Sequence, residues 1–362
     1  MKKYILTVLL LLLLILISVC YGSSLQYQQL SVLQMYSGGG VACSPTYDSE
    51  LQTDANAAEP DASDTNATTG LTNYTLETFE STTTNPSLGT YHINAVADSI
   101  NDRFVDVLTG LTDGVAYRIS FDVAHNGTGN NWACRIADQT SSSDKILLKA
   151  LTSADTTYSS VSAYFIKTAD LDHLQCIATT DTGGVLFDNY SVKAITSPCL
   201  GGELHTSENA ASLSNEASAV TGFTVTGIDT FESVSTDTPQ AGTYHLHIRE
   251  VDTPTGSARI YMDIGTLFSL QEGVKYYLTF WGKTSGLAAA TWRMGFSTST
   301  TSIDNGKIIG TLTDADTSYK KQGVSFTYTS GSHRYFTIME NNVANTGELW
   351  IDSLSIKEVV SE

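Results

Sequence analysis

The chain is written twice. TFES at Thr78–Ser81 returns at Thr230–Ser233, and GTYH at Gly89–His92 returns at Gly242–His245. GVAYRISF (Gly114–Phe121) answers GVKYYLTF (Gly273–Phe280), and NWACRI (Asn131–Ile136) answers TWRMGF (Thr291–Phe296). LTSADTTY (Leu151–Tyr158) pairs with LTDADTSY (Leu312–Tyr319), and GGVLFDNYSVK (Gly183–Lys193) with TGELWIDSLSIK (Thr346–Lys357). The blocks keep their order, so chance does not explain them. Each copy runs to about 150 residues, enough to bury a core of its own.

Several blocks alternate apolar and polar residues. Tyr244, Leu246 and Ile248 share one face of a strand while Thr243, His245 and His247 share the other. Val115, Tyr117, Ile119, Phe121 and Val123 likewise face together. A period of two predicts strands with one buried face. Turn residues such as Thr112-Asp113-Gly114 and Glu272-Gly273 separate the runs. The expected fold is all-β: two tandem β-sandwich or jelly-roll domains. The boundaries follow from the repeat, with residues 43–196 as the first copy and 199–360 as the second. Thr196-Ser197-Pro198 is too short a linker to give the copies much mutual freedom.

Ahead of the repeat, Lys2 and Lys3 precede an apolar run from Ile5 to Val19, then Cys20-Tyr21-Gly22. This reads as a signal peptide over residues 1–22, followed by a flexible lead-in over 23–42 that contains Ser37-Gly38-Gly39-Gly40. An uncleaved anchor, or a lipoprotein box ending at Cys20, are the alternatives. The expected location is secreted or cell-surface, without membrane insertion of the mature chain. Its 38 acidic and 19 basic residues give a formal charge of −19, which argues against nucleic acid as a partner. Cys43, Cys134, Cys176 and Cys199 would then meet an oxidising compartment. Pairing of Cys43 with Cys199 and of Cys134 with Cys176 is one expectation, and free buried cysteines the other. Asn66, Asn73, Asn126 and Asn189 stand in Asn-x-Ser/Thr sequons, relevant only in a host that glycosylates them.

In copy two GELHT (Gly202–Thr206), Asn215-Glu216, Gly222-Phe223, AGTYHLHI, GVKYYLTF, DADTSY and LWIDSLSI follow in order. Copy one shows SELQT (Ser49–Thr53), Asp64, Gly70-Leu71, LGTYHI, GVAYRISF, ADTTY and VLFDNYSV. This ordered set resembles the CenC-like carbohydrate-binding modules, a calcium-bearing branch of the galactose-binding-like jelly rolls. Copy one departs in having Leu71 where an aromatic is usual, and both copies carry tyrosines where relatives hold a tryptophan before the Thr-x-Tyr region. The resemblance implies a structural calcium between an early carboxylate and the Asp of the last strand. That nominates Asp64 with Asp188, and Glu216 with Asp352, as metal ligands; as plain acids they would be solvated or turn-forming.

Sugar binding needs aromatic platforms flanked by polar groups. Trp132 and Trp292 hold matching places in the repeat, and either a platform or a core role fits them. Trp281 follows core-like Phe280 and so faces the other way. His92 and Asn94 match His245 and His247 on the polar side of their strand, as ligand contacts or as a solvated face. No GxSxG, HExxH or phosphate-cradling glycine loop is present, so no enzyme is expected. The expected function is that of a secreted, non-catalytic carbohydrate-binding protein holding a polysaccharide or surface glycan. The alternative is a structural or adhesive protein whose sandwiches contact a cell-surface partner protein without binding sugar.

Overall fold

The repeated Gly-x-x-Tyr block shows how these residues build these strands. Gly114 and Gly273 sit at φ of 80° and 79° in matching turns, a conformation that favours glycine. Three residues on, the Tyr117 hydroxyl accepts the N–H of Thr112 at 2.8 Å, and the Tyr276 hydroxyl accepts that of Gln271 at 3.0 Å. Each tyrosine thus closes its turn with its hydroxyl while its buried ring joins the core. The Leu-Thr-x-Ala-Asp block works in the same local manner. Asp155 accepts the N–H and hydroxyl of Thr152, and Asp316 those of Thr313. The carbonyls of Asp155 and Asp316 then take the N–H of His125 and of Thr284, docking each turn onto the end of a neighbouring strand.

The computed structural model describes residues 43–52, 58, 65–129, 131–137, 145–169, 171–180, 182–250, 258–285, 291–304, 307–340 and 347–362. The expected signal peptide, the lead-in and Asp64 lie outside the described residues. Pro45–Glu362 forms one compact unit, and of the other, Met1–Ser44, only Cys43 and Ser44 are described. Copy one supplies β1 (Thr46–Glu50), β2 (Leu71–Tyr74), β3 (Thr78–Thr82), β4 (His92–Ala97), β5 (Arg103–Val107), β6 (Ala116–Gly129), β7 (Trp132–Ala137), β8 (Lys145–Leu151), β9 (Ser159–Ile166), β10 (His173–Ala178) and β11 (Gly183–Ser197). Copy two supplies β12 (Cys199–Glu203), β13 (Thr224–Thr226), β14 (Thr230–Val234), β15 (His245–Glu250), β16 (Arg259–Asp263), β17 (Lys275–Thr284), β18 (Thr291–Ser297), β19 (Ile308–Thr313), β20 (Lys320–Thr327), β21 (Tyr335–Glu340) and β22 (Gly347–Ser361). A single helical turn, α1 (Ile264–Leu267), follows β16.

Each copy is a sandwich of antiparallel strands. In copy one the order β3-β4-β11-β6-β9 forms one sheet and β2-β5-β10-β7-β8 the other. Copy two repeats both orders as β14-β15-β22-β17-β20 and β13-β16-β21-β18-β19. The sheets enclose Ile93, Phe104, Phe121, Trp132 and Phe187 in copy one, and Leu246, Phe280, Trp292, Phe336 and Ile351 in copy two. Full burial of each such side chain contributes about 1.5–3 kcal/mol. Cys134 and Cys176, opposite one another on β7 and β10, form a disulfide. Cys43 and Cys199 are each disulfide-bonded as well.

The two copies meet edge to edge. β9 and β20 are the same strand of the repeat, and they pair antiparallel with Phe165 opposite Val324. One continuous path results, β14-β15-β22-β17-β20-β9-β6-β11-β4-β3, which reads the same from either end in repeat terms. An isolated antiparallel bridge likewise joins Ile146 of β8 to Lys307, the residue just ahead of β19. Beyond the single ladder pair, side chains hold the seam. Tyr164 N–H donates to Ser325 Oγ at 2.7 Å, Lys275 Nζ donates to the Ser162 carbonyl at 2.9 Å, and the Tyr164 and Tyr277 rings meet edge-on. An antiparallel edge pair of equivalent strands is related by a two-fold axis normal to the sheet. The outer faces of both copies therefore look to the same side.

Candidate functional site on the outer sheet face

Alternation on β15, β22 and β17 buries Leu246, Ile248, Leu349, Ile351 and Phe280 in the core. It sends His245, His247, Trp350, Lys283 and Trp281 to the outer face. Register brings these together, with His247 opposite Trp350 and Trp350 opposite Lys283. The His247 and Trp350 rings stack at 5.1 Å between centroids, 16° from parallel. Lys283 Nζ lies 5.1 Å from the Trp350 ring centre and 4.8 Å from that of Tyr319, within cation–π range of both. Its ammonium also donates to the Asp237 carbonyl, which fastens the loop ahead of β15 over the face. The Tyr319 hydroxyl and His245 Nδ1 share a hydrogen bond of 2.8 Å.

Carboxylates rim this cluster. Glu232 lies 3.2 Å from His247 Nδ1, while Glu348 lies 3.8 Å from His247 Nε2 and 3.6 Å from Arg249 Nε. Positive and negative groups are thus balanced around the rings. Burial, reinforced by the Lys283 charge, pushes His245 down to about 4, so its imidazole is neutral at neutral pH. Burial also lowers Lys283 from its ordinary value and raises Tyr319, the latter helped by Asp352 and Asp237. Trp350 is 7% exposed, and its Nε1 has no hydrogen-bond partner among the described residues. That nitrogen is buried beneath the His247 and Lys283 side chains, so the indole lies under the face and supports the groups above it.

The structure sorts the residues expected from sequence. Trp281 is half-buried on the outer face, two residues before Lys283, as alternation requires. His247 is part of the cluster. His245 is fully buried and acts beneath the face through Tyr319 rather than as a surface contact. Trp132 and Trp292 require correction, being 1% and 0% exposed. β7 and β18 are covered strands of the second sheet, and alternation puts each tryptophan inward with Cys134 or Met294, so neither is a platform. His92 is also enclosed, facing Tyr158 edge-on at 6.2 Å. Asn94 does reach the outer face, where its amide donates to Glu80 at 3.4 Å, but Leu186 lies opposite it instead of an aromatic.

The expected metal ligands have other work. Asp188 accepts the N–H groups of Ser87 and Leu88 on one oxygen and that of Asn189 on the other. Asp352 accepts those of Gln240 and Ala241 on one oxygen and the Ser353 hydroxyl on the other. Glu216 accepts those of Thr243 and Tyr244. Each acid ties down the loop that precedes β4 or β15. A cation, which takes six to eight oxygen ligands, would compete with these donors for Asp188 and Asp352, and Asp64 lies outside the described residues. Among the described residues no group of three or more His, Cys, Asp or Glu side chains is arranged for a metal.

Sequence reasoning passed over Trp350, Lys283 and Tyr319 as members of the site. The argument that turned Trp281 outward applies equally to Trp350, which stands between core residues Leu349 and Ile351. It also passed over Glu50 and Glu203, which open the repeated Glu-Leu-x-Thr blocks. Glu50 accepts Val192 N–H at 2.7 Å and the Ser191 hydroxyl, and Glu203 accepts Ile356 N–H at 2.8 Å and the Ser355 hydroxyl. Each pins the first strand of its copy to the last.

No protein-family profile matches the sequence, and no curated protein matches it. The solved structures it is similar to include carbohydrate-binding modules. The N-terminal CBM22-1–CBM22-2 tandem domain from Paenibacillus barcinonensis Xyn10C is 13% identical over 88% of this chain and 100% of that one, with a TM-score of 0.33. The CBM22-1–GH10 modules of a Clostridium thermocellum xylanase, solved with xylohexaose, are 18% identical over 46% of this chain and 31% of that one, with a TM-score of 0.31. A family 16 carbohydrate-binding module is 16% identical over 35% of this chain and 84% of that one, with a TM-score of 0.24. At these TM-scores the likeness carries no argument about function.

Proposed function

We propose that this chain is a secreted, non-catalytic carbohydrate-binding protein, and that it holds a polysaccharide or surface glycan on the outer face of its long sheet. The observation that carries this reading is the cluster of His247, Trp350, Lys283 and Tyr319. It sets the partly exposed His247 and Tyr319 rings and the Lys283 ammonium over the buried Trp350, with carboxylates at the rim to accept hydroxyls. Its charges are mutually compensated, which suits a neutral sugar better than an acidic one. The test is binding of the purified chain to a panel of neutral and acidic polysaccharides, first with calcium and then with chelator. Saturable binding to a neutral class, unchanged in chelator, is the expected result. A folded chain that holds none of them overturns the reading.

A second reading is favoured by the seam. Two sandwiches fused edge to edge, with a side-chain-bonded junction, make a stiff spacer suited to a structural or adhesive surface protein. That role predicts a protein partner and an inert sheet face.

A further inference from the structure

We infer that copy two alone carries the glycan site, so that the chain takes one glycan strand rather than two. This rests on the carbohydrate reading above and narrows it.

The backbone registers of the two copies are the same, so residues can be matched pair for pair. Asn94 opposite Leu186 in copy one stands where His247 opposite Trp350 stands in copy two. Leu186 opposite Ala124 stands where Trp350 opposite Lys283 stands. Gly184 opposite Val96 replaces the charged pair Glu348 and Arg249. Of the stacked rings, the cation and the rim of copy two, copy one keeps at the matching places only Glu80, the counterpart of Glu232.

What copy one keeps is the supporting layer. His92 matches His245, Tyr158 matches Tyr319, and Asp188 holds its loop as Asp352 does. The frame under the face persists while the groups above it are gone. A space that a Cβ on Gly184 would occupy is filled by the Asn126 side chain, so copy one closes its own face where copy two extends Glu348.

The geometry of the seam excludes a single glycan strand held alike by both copies. The two outer faces lie on one side of a single sheet, with β22 and β11 five strand spacings apart, roughly 24 Å. The two-fold relation reverses the sense of every strand between the copies. A polysaccharide has a reducing and a non-reducing end, so a strand laid across copy two in its preferred sense would cross copy one backwards. Two equal sites in this arrangement cannot grip one directional chain in the same way.

The experiment is titration calorimetry of the full chain with xylohexaose, cellohexaose and mannohexaose as probes. The wild-type chain is expected to bind one of them at one molecule per chain. Trp350→Leu, His247→Asn and Lys283→Ala place copy one's residues in copy two, in a register that already accommodates them. Each should weaken binding at least tenfold; His247→Asn and Lys283→Ala should leave the melting temperature little changed, while Trp350→Leu, which removes a buried ring, should also lower it. Leu186→Ala and Tyr158→Phe in copy one should change affinity less than twofold. Two molecules per chain, or a copy-one variant that loses as much as Trp350→Leu, overturns the single-site inference and leaves the carbohydrate reading standing. If the wild-type chain binds none of the hexasaccharides and no polysaccharide of the wider panel, the carbohydrate reading falls and the inference falls with it.

Discussion

The Cys134–Cys176 bond offers a controlled measurement because copy two lacks it. At the matching positions copy two places Met294 opposite Ile338, both fully buried. The same register therefore exists once with a covalent link and once without. The bond spans 42 residues of sequence, and on the chain-entropy account closing a loop of that size restrains the unfolded state by about 4 kcal/mol. Replacing Cys134 with Met and Cys176 with Ile keeps an apolar pair known to fit this register and removes only the link. Cys134→Ala with Cys176→Ala removes the link and some packing. Hydrogen exchange read peptide by peptide separates the copies, and the opening free energy of β7 and β10 should fall by about 4 kcal/mol in the Met/Ile variant. The alanine pair should fall further. Peptides of β18 and β21 should be unaffected except near the seam. A loss below about 1 kcal/mol in copy one would show that the bond does not act on the unfolded chain as supposed.

Other expectations follow from single contacts. Glu203→Gln weakens the charge-assisted bonds to Ile356 and His205, so a loss of about 1.5–3 kcal/mol is expected in denaturant melts, with Glu50→Gln giving a comparable loss in copy one. His205, His245 and His333 are each pushed down to about 4 by burial, from an ordinary 6.5. The unfolded chain therefore takes up protons first, and stability should decline as pH falls from 6.5 toward 4 and be level above that range; buried Asp188 and Asp352, raised by desolvation, oppose the trend. A stability curve flat across that interval, unchanged in His205→Gln, would contradict this. Chelator should leave the melting temperature unchanged, because Asp188, Asp352 and Glu216 already accept bonds from their own loops; a drop of several degrees would show that calcium is held there. Lys275→Ala removes the bond to Ser162 and the ion pair with Glu362, and should loosen the seam, seen as faster exchange in β9 and β20 without loss of either core.

Much of the fold is legible in the sequence because repeat and alternation are both local records of burial. Phe280 next to Trp281 already says which of the two faces inward. What alternation does not say is whether the opposite face of a strand is open or covered. Trp132 and Trp292 illustrate the difference, since a polar strand such as β18 can still turn its one large ring into the sandwich. The acids were ambiguous for a chemical reason. A carboxylate that serves two main-chain N–H groups and one that serves calcium have the same spelling, and only the direction of the neighbouring N–H groups separates them. Pairing across strands was also hidden. His247, Trp350 and Lys283 are distant in sequence, and the strand order that assembles them is a property of the wound chain.

The duplicated acids also explain how two copies can diverge so far on one face while keeping one fold. Glu50 and Glu203 fix the first strand to the last, and Asp188 and Asp352 fix the loop before β4 or β15, in each case through backbone N–H groups. Bonds to backbone are indifferent to the side chains that backbone carries. Asn189 and Ser353, at φ of 51° and 53°, hold the same bulge in the last strand of each copy just beyond these aspartates. With frame and bulge secured by contacts that do not consult the outer face, substitution there leaves the fold in place. Leu186 and Trp350 therefore occupy one register position in the same fold, and the difference between them is available to selection for ligand.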